Sequence, residues 1–330
     1  MAMAPDGSVI LAADLYHDSV VAINPRTGIV TARYKTGRRP YRILFQPGGK
    51  LFYVSSWADG TVYMHETRTG SESSRIRLGP HTTDMLLSDR KMEGSDGKYR
   101  LFVAAANTNQ VFVVSVNDAN AMKIQESINV GMTPRQPAGM TPSGLALSPD
   151  QQRLFVACSD ANVAAVVDVS DERSRVEGFI PAGWYPTATR VLPDGRVLIL
   201  NGRGLASYPN THLPGPMRLP ASANAGDARH DYVGNLQTGT MSVIDPPTDE
   251  TLAAYTKAAQ GLSPYHDEQL DAQNLEGDSV IYSRPDRPSP IEHVIYIIKE
   301  NRTYDQVFGK IGKGNGDPSL TLFDESVAPN

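Results

Sequence analysis

The sequence predicts an all-β fold, namely a β-propeller of about five visible four-stranded blades, followed by a short C-terminal α/β segment. One local pattern recurs five times within residues 1–246, at intervals of 42, 48, 54 and 44 residues, which match the length of a propeller blade. Each copy contains short apolar runs bounded by Gly, Pro and Asp and lacks the periodicity of a helical repeat. These observations assign residues 1–246 to an incomplete propeller.

A turn opens each copy of the pattern. Pro presets φ at the second position of such a turn, and Gly or Asp tolerates the tighter positions that follow. The turns are Ala4–Gly7, Gln46–Gly49, Ser95–Lys98, Ser148–Gln151 and Leu192–Gly195. Each turn is therefore expected to connect two antiparallel strands.

Two β-rich runs follow each turn. The first run is apolar at successive positions, as expected for a strand that neighbouring sheets cover on both faces. The first runs are Val9–Ala13, Leu51–Ser55, Leu101–Ala105, Leu154–Cys158 and Val197–Asn201, and the second runs are Ser19–Ile23, Thr61–Met64, Gln110–Val114, Val163–Val167 and Thr240–Ile244. A Gly with Pro close behind ends four units, at Thr36–Pro40, Leu78–Pro80, Val130–Pro134 and Ala182–Pro186.

The repeats resemble the YVTN family of β-propellers. Leu51–Ser55 and Leu154–Ala157 stand where that family has its tyrosine-valine signature. The resemblance covers about residues 1–246, and a longer third unit around 92–98 and a Pro/Gly/Asn-rich insert at 202–231 depart from it. Because propellers of this family are seven-bladed rings, the resemblance implies that one or two blades precede residue 1. The five visible units are then expected to form an open arc with unpaired blade edges.

Charge and apolar content exclude several classes of function. The net charge is −5 and the pI is about 5.8, without a basic run, so binding to nucleic acid or to an anionic membrane surface is not expected. No apolar run is long enough to span a membrane, and Met1–Gly7 has no signal-peptide pattern. The single cysteine, Cys158, lies in an apolar run, which favours a buried inert thiol over a nucleophile. One cysteine leaves the cellular compartment open.

Residues 247–290 are predicted to be a helix and a linker. Thr248–Ala259 begins with an N-cap candidate and early acidic residues and continues with strong helix formers, which predicts a short helix leaving the last blade. From Gly261 to Pro290 the chain is polar and Pro-rich, which is typical of an interdomain connection.

An apolar run near the C-terminus, His293–Ile298, favours a buried parallel strand with polar residues at its carboxyl end. Residues 290–309 resemble the opening strand of the phosphoesterase family, which includes bacterial phospholipases C and acid phosphatases and is similar in fold to alkaline phosphatase. In that family, a Glu-Asn pair after the first strand ligates the metal that binds the substrate phosphate. The resemblance therefore implies that Glu300 and Asn301 are ligands of a divalent metal ion.

The chemistry of the two side chains agrees with a metal role. A carboxylate and an amide oxygen are hard ligands for a divalent cation, which can neutralise phosphoryl charge and activate a nucleophile. The family's nucleophilic Ser or Thr and its other ligands are expected beyond Asn330. Residues 291–330 are thus interpreted as the N-terminal fragment of a phosphoesterase domain, inactive and without bound metal on its own. Alternatively, Glu300 and Asn301 are a polar cap between strand and helix, with Asn301 as the N-cap.

Two functions stay open from the sequence. One is a fragment of a metal-dependent phosphoesterase that acts on a phosphate-ester substrate, with the propeller positioning a ligand. The other is a non-enzymatic propeller that binds a protein, a polysaccharide or a cell surface. The family resemblance also suggests a bacterial protein outside the cytoplasm, either periplasmic or secreted.

The remaining candidate residues favour structural roles. The seven histidines show no paired ligand spacing, and His230 with Asp231 in the fifth-blade insert is the best candidate for a functional loop. Two Gly-rich stretches, Gly202–Gly204 and Gly312–Gly316, lack the order of a phosphate-binding loop and predict turns. Four aromatic residues near the repeat ends are interpreted as blade-packing residues rather than a ligand platform, namely Tyr41, Trp57, Trp184 and Tyr185.

Overall fold

The computed structural model describes residues 1–88, 97–117, 119–205, 238–264, 290–298, 300 and 302–327. The chain divides into two units, the first of residues 1–205 and 239–271 and the second of residues 206–238 and 272–330. Within the described ranges, no helix has both the length and the apolar character to cross a membrane.

The strands of the first unit form five antiparallel sheets that follow one another in chain order. Sheet one contains β1 (Ala2–Met3), β2 (Ile10–Asp14), β3 (Ser19–Ile23) and β4 (Val30–Lys35). Sheet two contains β5 (Pro40–Phe45), β6 (Leu51–Ser56), β7 (Thr61–Glu66) and β8 (Glu72–Arg77). Sheet three contains β9 (Thr82–Ser88), β10 (Gly97–Ala105), β11 (Gln110–Asn117) and β12 (Met122–Asn129). Sheet four contains β13 (Pro142–Leu147), β14 (Arg153–Cys158), β15 (Val163–Asp168) and β16 (Arg175–Pro181), and sheet five contains β17 (Pro186–Val191), β18 (Val197–Asn201) and β19 (Thr240–Ile244).

The predicted turns form where the structure describes them. In the turns at Ala4, Gln46, Ser148 and Leu192, the carbonyl of the first residue accepts a hydrogen bond from the backbone N–H of the fourth at 2.8–2.9 Å. The fourth residue has a positive φ in each of them: Gly7, Gly49, Gln151 and Gly195. This is the conformation that Gly adopts without steric cost. The third predicted turn lies partly outside the described residues.

The sequence-based prediction found two strands of each sheet, namely the middle two in sheets one to four and the second and third in sheet five, and did not predict the remaining ones. The predicted first and second runs correspond to β2 and β3, β6 and β7, β10 and β11, β14 and β15, and β18 and β19. The first strands of sheets two to five, here called the inner strands, are β5, β9, β13 and β17. β5 and β17 begin at the last residue of a Gly-Pro segment, β9 begins two residues after one, and β13 begins eight residues after one. Three inner strands start with Pro, which is tolerated at a strand start because no ladder hydrogen bond is lost there.

Apolar side chains fill the space between each pair of successive sheets. One cluster joins sheets one and two around Leu11 and Phe52, and another joins sheets two and three around Tyr53 and Leu101. Two further clusters join sheet three to four and sheet four to five. The second strands of sheets two, three and four are therefore covered on both faces, as predicted, whereas those of sheets one and five are covered on one face. Cys158 lies in the third of these interfaces, fully buried, and burial raises the pKa of its thiol to about 12.

The ends of the series of sheets agree with the expected open arc. Sheet five has three strands, and no strand pairing among the described residues joins it to sheet one. Leu200 on the middle strand of sheet five and Met241 and Val243 on its edge strand β19 are about half exposed. These features, with the five sheets, define a partial β-propeller.

The predicted helix is formed as α1 (Asp249–Leu262) and is capped by Thr248. The Thr248 side chain accepts a hydrogen bond from the backbone N–H of Thr251, which fixes the first turn. The helix lies on the outer strand of sheet four, where Leu252 and Ala259 are buried. Gly178 allows this close approach, since a Cβ atom there would come within 3.0 Å of the helix side chains.

The predicted strand over His293–Ile298 is wrong for the structure described here. Residues 291–298 form no strand, and the side chains of Val294–Ile298 are 71–87% exposed. A parallel strand is stable only where neighbouring strands accept its hydrogen bonds and cover its apolar faces. The described part of the second unit contains no strand that could do this.

The second unit contains a short helix, α2 (Tyr304–Phe308), whose N-cap is Thr303. The alternative interpretation placed the N-cap at Asn301 and is therefore wrong for this helix. Gln306 Oε1 accepts a hydrogen bond from the Thr303 N–H at 3.2 Å. The Tyr304 hydroxyl donates to the carbonyl of Lys313 at 2.7 Å, which closes a turn in which Gly312 and Gly314 have positive φ. The predicted turn at Gly312–Gly316 is therefore confirmed.

Candidate functional site

The predicted metal ligands are not assembled into a metal centre by the part of the chain that the structure describes. Glu300 is exposed, and Asn301 lies outside the described residues. No group of three or more His, Cys, Asp or Glu side chains in the described ranges could hold a metal ion. One exposed carboxylate does not fit the requirement of a tight site for several converging ligands. The metal role of Glu300 and Asn301 stays a prediction.

A second candidate site lies where the inner strands begin. The residue before each inner strand has a positive φ although none of these residues is Gly: 51° at Arg39, 58° at His81, 54° at Thr141 and 60° at Tyr185. A non-Gly residue in this region costs about 1–3 kcal/mol and persists only where its surroundings fix it. Four equivalent positions with the same strained backbone mark one end of the propeller.

Hydrogen bonds from neighbouring segments fix these strained residues. The carbonyls of Arg39 and Tyr185 accept from the backbone N–H groups of Trp57 at 3.0 Å and Gly202 at 2.8 Å. Their own N–H groups donate to Asp18 Oδ1 at 2.8 Å and Asn162 Oδ1 at 2.9 Å, and both acceptors belong to the preceding sheet. The start of an inner strand is thus held by its own sheet and by the previous one.

A β-bulge follows each strained residue. The ladder between inner and second strand shifts register between Pro40 and Ile43, between Pro142 and Gly144, and between Pro186 and Ala188. The ladder of β9 shifts in the same way opposite Val103–Ala105. Because a bulge re-aims the side chains next to it, the repeated bulges change the direction of the side chains near each strand start.

We define the blade-start surface by the aromatic and basic residues at this end: Arg38, Arg39, Tyr41, Trp57, His81, Trp184, Tyr185 and Arg203. Trp57 stacks on His81 with ring centroids 3.7 Å apart and an interplanar angle of 9°. The guanidinium of Arg39 lies 5.5 Å from the Trp57 ring, and that of Arg203 lies 5.4 Å from the Tyr185 ring. Trp184 is 63% exposed and Tyr41 is 53% exposed. The interpretation of these aromatics as blade-packing residues is therefore wrong for Trp184 and Tyr41.

The blade-start surface carries positive charge that no carboxylate neutralises directly. Arg38, Arg39 and Arg203 are exposed, and none of them forms an ion pair with another described residue. The two nearby carboxylates already accept backbone hydrogen bonds, Asp18 from Arg39 and Asp59 from Arg38. Guanidinium groups that are stacked on rings and free of carboxylates can bind an external anion.

Polar groups of three sheets converge beside Tyr41. Partial burial, the Asp84 carboxylate and Tyr185 raise the pKa of the Tyr41 hydroxyl above its ordinary value of 10.0, at which a tyrosine is already a neutral hydrogen-bond donor at physiological pH. The Arg42 Nε lies 3.1 Å from Asp84 Oδ1, and Asp84 Oδ2 accepts from the Leu145 N–H at 3.0 Å. Tyr41 thus lies next to a contact that joins sheets two, three and four.

A cleft of about 520 Å³ lies at the other end of sheets four and five, next to the turns at Pro149 and Pro193. Arg153 crosses it, with Nε 2.7 Å from Glu177 Oε2 and an N–H donated to the Pro247 carbonyl at 3.2 Å. Its remaining nitrogen lies 3.3 Å from Asp249 at the start of α1. Because these contacts hold helix α1 against sheet four, we assign the residues of the cleft a structural role.

The histidines that the structure describes have ordinary roles. His65 is buried, stacks on Phe52 at 5.2 Å, and makes hydrogen bonds with Thr36 Oγ1 and the Gly70 carbonyl, both at 3.0 Å. His293 is exposed, whereas His230 and Asp231 lie outside the described residues. The stacking of His81 on Trp57 gave no signal in the sequence, since the two residues are 24 positions apart and no motif contains both.

Comparisons with known proteins support the fold and leave the function open. No family model matches the chain. Antigen Lp49 of Leptospira interrogans serogroup Icterohaemorrhagiae serovar copenhageni is 22% identical over 218 residues, which are 60% of this chain and 43% of that protein. The chain therefore spans less than half the length of this curated relative.

Solved structures with similar sheets are also distant in sequence. A functionally unknown protein from Desulfotomaculum acetoxidans DSM 771 superposes with a TM-score of 0.51 at 14% identity, covering 61% of each chain. A candidate 6-phosphogluconolactonase from Bacteroides fragilis gives a TM-score of 0.46 at 21% identity, covering 57% of this chain and 55% of that one. The five successive antiparallel sheets identify the first unit as a partial β-propeller, and the first likeness is one of fold alone.

Proposed function

We propose that this chain belongs to a metal-dependent phosphoesterase, in which the propeller presents a ligand and Glu300 and Asn301 bind a divalent cation. The observation that supports the proposal is the exposed apolar run Val294–Ile298, which is separated from Glu300 and Asn301 by one residue, Lys299. Burying each such side chain stabilises a fold by about 1.5–3 kcal/mol. The run is therefore expected to enter a sheet when partner strands are present, and a strand there would place Glu300 and Asn301 at its carboxyl end.

The proposed site needs more groups than this segment supplies. A bound divalent cation would offset the negative charge of a phosphoryl group. Glu300 would contribute a carboxylate oxygen and Asn301 an amide oxygen, both of which are suitable ligands for a hard cation. A nucleophile and further ligands must come from other residues, and residues 1–330 by themselves are expected to hydrolyse no phosphate ester.

The test compares two glutamates of the same segment in the protein encoded by the complete reading frame. The Glu300→Gln variant should lose at least 100-fold in kcat/KM with p-nitrophenyl phosphate in the presence of Mn²⁺ or Zn²⁺ and should bind the metal more weakly. Glu292→Gln, which alters an exposed glutamate eight positions earlier, should behave as the unsubstituted protein. Full activity of Glu300→Gln, or no activity in the unsubstituted protein, would contradict the proposal.

A second candidate function is a non-enzymatic binding module for a protein or polysaccharide. The blade-start surface favours it, because exposed rings and unpaired guanidinium groups are arranged there on a strained and well-fixed backbone. The family resemblance suggests a location outside the cytoplasm, which fractionation of the source cells followed by immunoblotting would test. The two candidate functions are compatible, since they use different residues.

A further inference from the structure

We infer that the blade-start surface binds an acidic saccharide, meaning a chain of sugar rings that carry carboxylate or phosphate groups. The inference rests on the second candidate function and narrows its ligand to one chemical class. It does not depend on the phosphoesterase proposal, because no residue of the surface lies in residues 290–330.

The exposed rings fit the apolar faces of sugars. Trp184 and Tyr41 are more than half exposed, and neither ring stacks on another aromatic ring in the described part of the chain. The C–H groups on one face of a pyranose ring form a flat apolar surface that packs on an indole or phenol ring, while its hydroxyls reach polar groups at the rim. The Tyr41 hydroxyl is protonated at physiological pH, as in any tyrosine with the ordinary pKa, so it can donate to such a hydroxyl.

The arginines select for negative charge on the ligand. Arg39 and Arg203 are each held over an aromatic ring, at 5.5 and 5.4 Å, which limits the freedom of their side chains. A guanidinium presents paired N–H donors that match the two oxygens of a carboxylate or phosphate. Because the protein as a whole has a net charge of −5, this positive surface is a local feature and not part of a general polyanion-binding face.

The arrangement suits a ligand with repeated rings and charges. The first ring pair, Arg39 with Trp57, belongs to sheet two, and the second, Arg203 with Tyr185, belongs to sheet five. An oligosaccharide with several charged rings offers a separate ring and charge to each cation–ring pair, whereas a single small anion offers a charge to only one of them.

The experiment is a calorimetric titration of the 330-residue chain with three probes of similar length: an oligogalacturonate, a neutral dextran oligosaccharide and an oligoglutamate. The expected result is binding of the oligogalacturonate at least ten times tighter than of either other probe, and weakening of this binding by added NaCl. Equal affinity for dextran, tighter binding of oligoglutamate, or no binding of the oligogalacturonate would each overturn the inference.

Variants locate the binding on the surface. Trp184→Ala and Arg203→Ala should each weaken oligogalacturonate binding by about tenfold, because each removes one of the two kinds of contact. Arg68→Ala, an exposed arginine in a turn of sheet two at the opposite end, is the matched control and should leave binding unchanged. An equal loss in the control, or unchanged binding in both surface variants, would overturn the assignment.

The Glu300→Gln variant separates this inference from the phosphoesterase proposal. It should bind the oligogalacturonate as the unsubstituted chain does, whatever its effect on hydrolysis. Loss of saccharide binding in Glu300→Gln would place the ligand at the C-terminal segment and overturn the inference.

Discussion

At the scale of single residues, close contacts at the strand starts limit which side chains are possible. A Cβ atom on Gly37 would come closer than 3.0 Å to Tyr63, Ser56 and Asp59. Asp59 also accepts the Arg38 N–H, so the side chains around Gly37 hold the start of β5 in place. A methyl group at Gly37 cannot be accommodated without moving them.

We expect Gly37→Ala to lower the free energy of unfolding by about 2 kcal/mol, since overpacking of a filled site costs about 1–3 kcal/mol. Gly48→Ala is the matched control, because a Cβ atom at Gly48 meets nothing within 4 Å. Urea denaturation of both variants measures the difference. Equal stability of the two variants would show that the Gly37 site has room for a side chain.

The buried His65 predicts a dependence of stability on pH. Burial lowers the pKa of its imidazole from the ordinary value of 6.5, although the hydrogen bond to the Gly70 carbonyl opposes this shift. The unfolded chain therefore binds the proton more readily than the folded chain does. Stability is complete above pH 6.5 and falls as the pH decreases below that value.

The melting temperature should decrease between pH 7.5 and pH 5.5, and the decrease should be smaller in His65→Gln, which has no imidazole to protonate. Asp14 does not contribute in this range, because its hydrogen bonds with His17 and Arg33 hold its pKa at about 2. His293→Gln is the control, since His293 is exposed. An unchanged pH dependence in His65→Gln would contradict the prediction.

At the scale of secondary-structure elements, Arg153 joins sheet four to helix α1. Its side chain is 31% exposed, that of Glu177 is 17% exposed, and their charged atoms are 2.7 Å apart. The same guanidinium donates to the Pro247 carbonyl just before the helix. Removing it leaves the largely buried Glu177 carboxylate without its closest cation.

We expect Arg153→Met to destabilise the protein by about 2 kcal/mol, because a buried charged group that loses its partner retains its desolvation cost. Arg196→Met removes an arginine from the exposed pair with Asp194 and should cost less than about 0.5 kcal/mol. Thermal unfolding followed by circular dichroism compares the two. A larger effect of Arg196→Met than of Arg153→Met would contradict the role of Arg153 in holding helix α1 on sheet four.

Elements whose conformation is determined by their own residues are predicted well from the sequence. Elements that depend on packing against neighbouring blades are predicted poorly. Pro, Gly and Asp determine the turns at Ala4 and Leu192 through their own backbone preferences, so these turns were predictable. The inner strands were missed because Tyr41-Arg42 and Thr83-Asp84 interrupt the apolar pattern at their bulges. The packing of neighbouring blades, not local propensity, holds these polar positions in a strand.

The candidate sites likewise depend on packing between sheets, which the sequence does not reveal. The exposure of Trp184 and the stacking of Trp57 on His81 depend on how sheets adjoin, which residue type alone does not reveal. The apolar run at Val294–Ile298 indicates a preference for burial, and no property of the run itself supplies the partner that would cover it.

At the scale of the whole molecule, sheet five presents an apolar face that no described residue covers. Leu200, Met241 and Val243 are 47–55% exposed, and register places Leu200 opposite Met241. The corresponding faces between the other sheets are filled with buried side chains. An uncovered face beside the edge of the three-stranded sheet can pair with another chain.

We expect the purified chain to associate as its concentration rises, and Met241→Lys with Val243→Lys to reduce this association without lowering the melting temperature. Light scattering coupled to size-exclusion chromatography measures the mass at each concentration. The pair Ser73→Lys and Gln125→Lys, at exposed positions of β8 and β12, is the control for added charge. A chain that stays monomeric at all concentrations would contradict the prediction.

The hydrogen bonds that cross from one sheet to the next have a consequence for engineering. Asp18, Asn109 and Asn162 each reach from a hairpin of one blade to a backbone N–H at the start of the following blade. A single blade transferred to another propeller would lose these inter-blade hydrogen bonds on both sides. Pairs of consecutive blades are therefore the smallest units suited to exchange between propellers. Foreign loops are better inserted at the opposite end in the turn Leu192–Gly195, whose hydrogen bonds are made within its own blade.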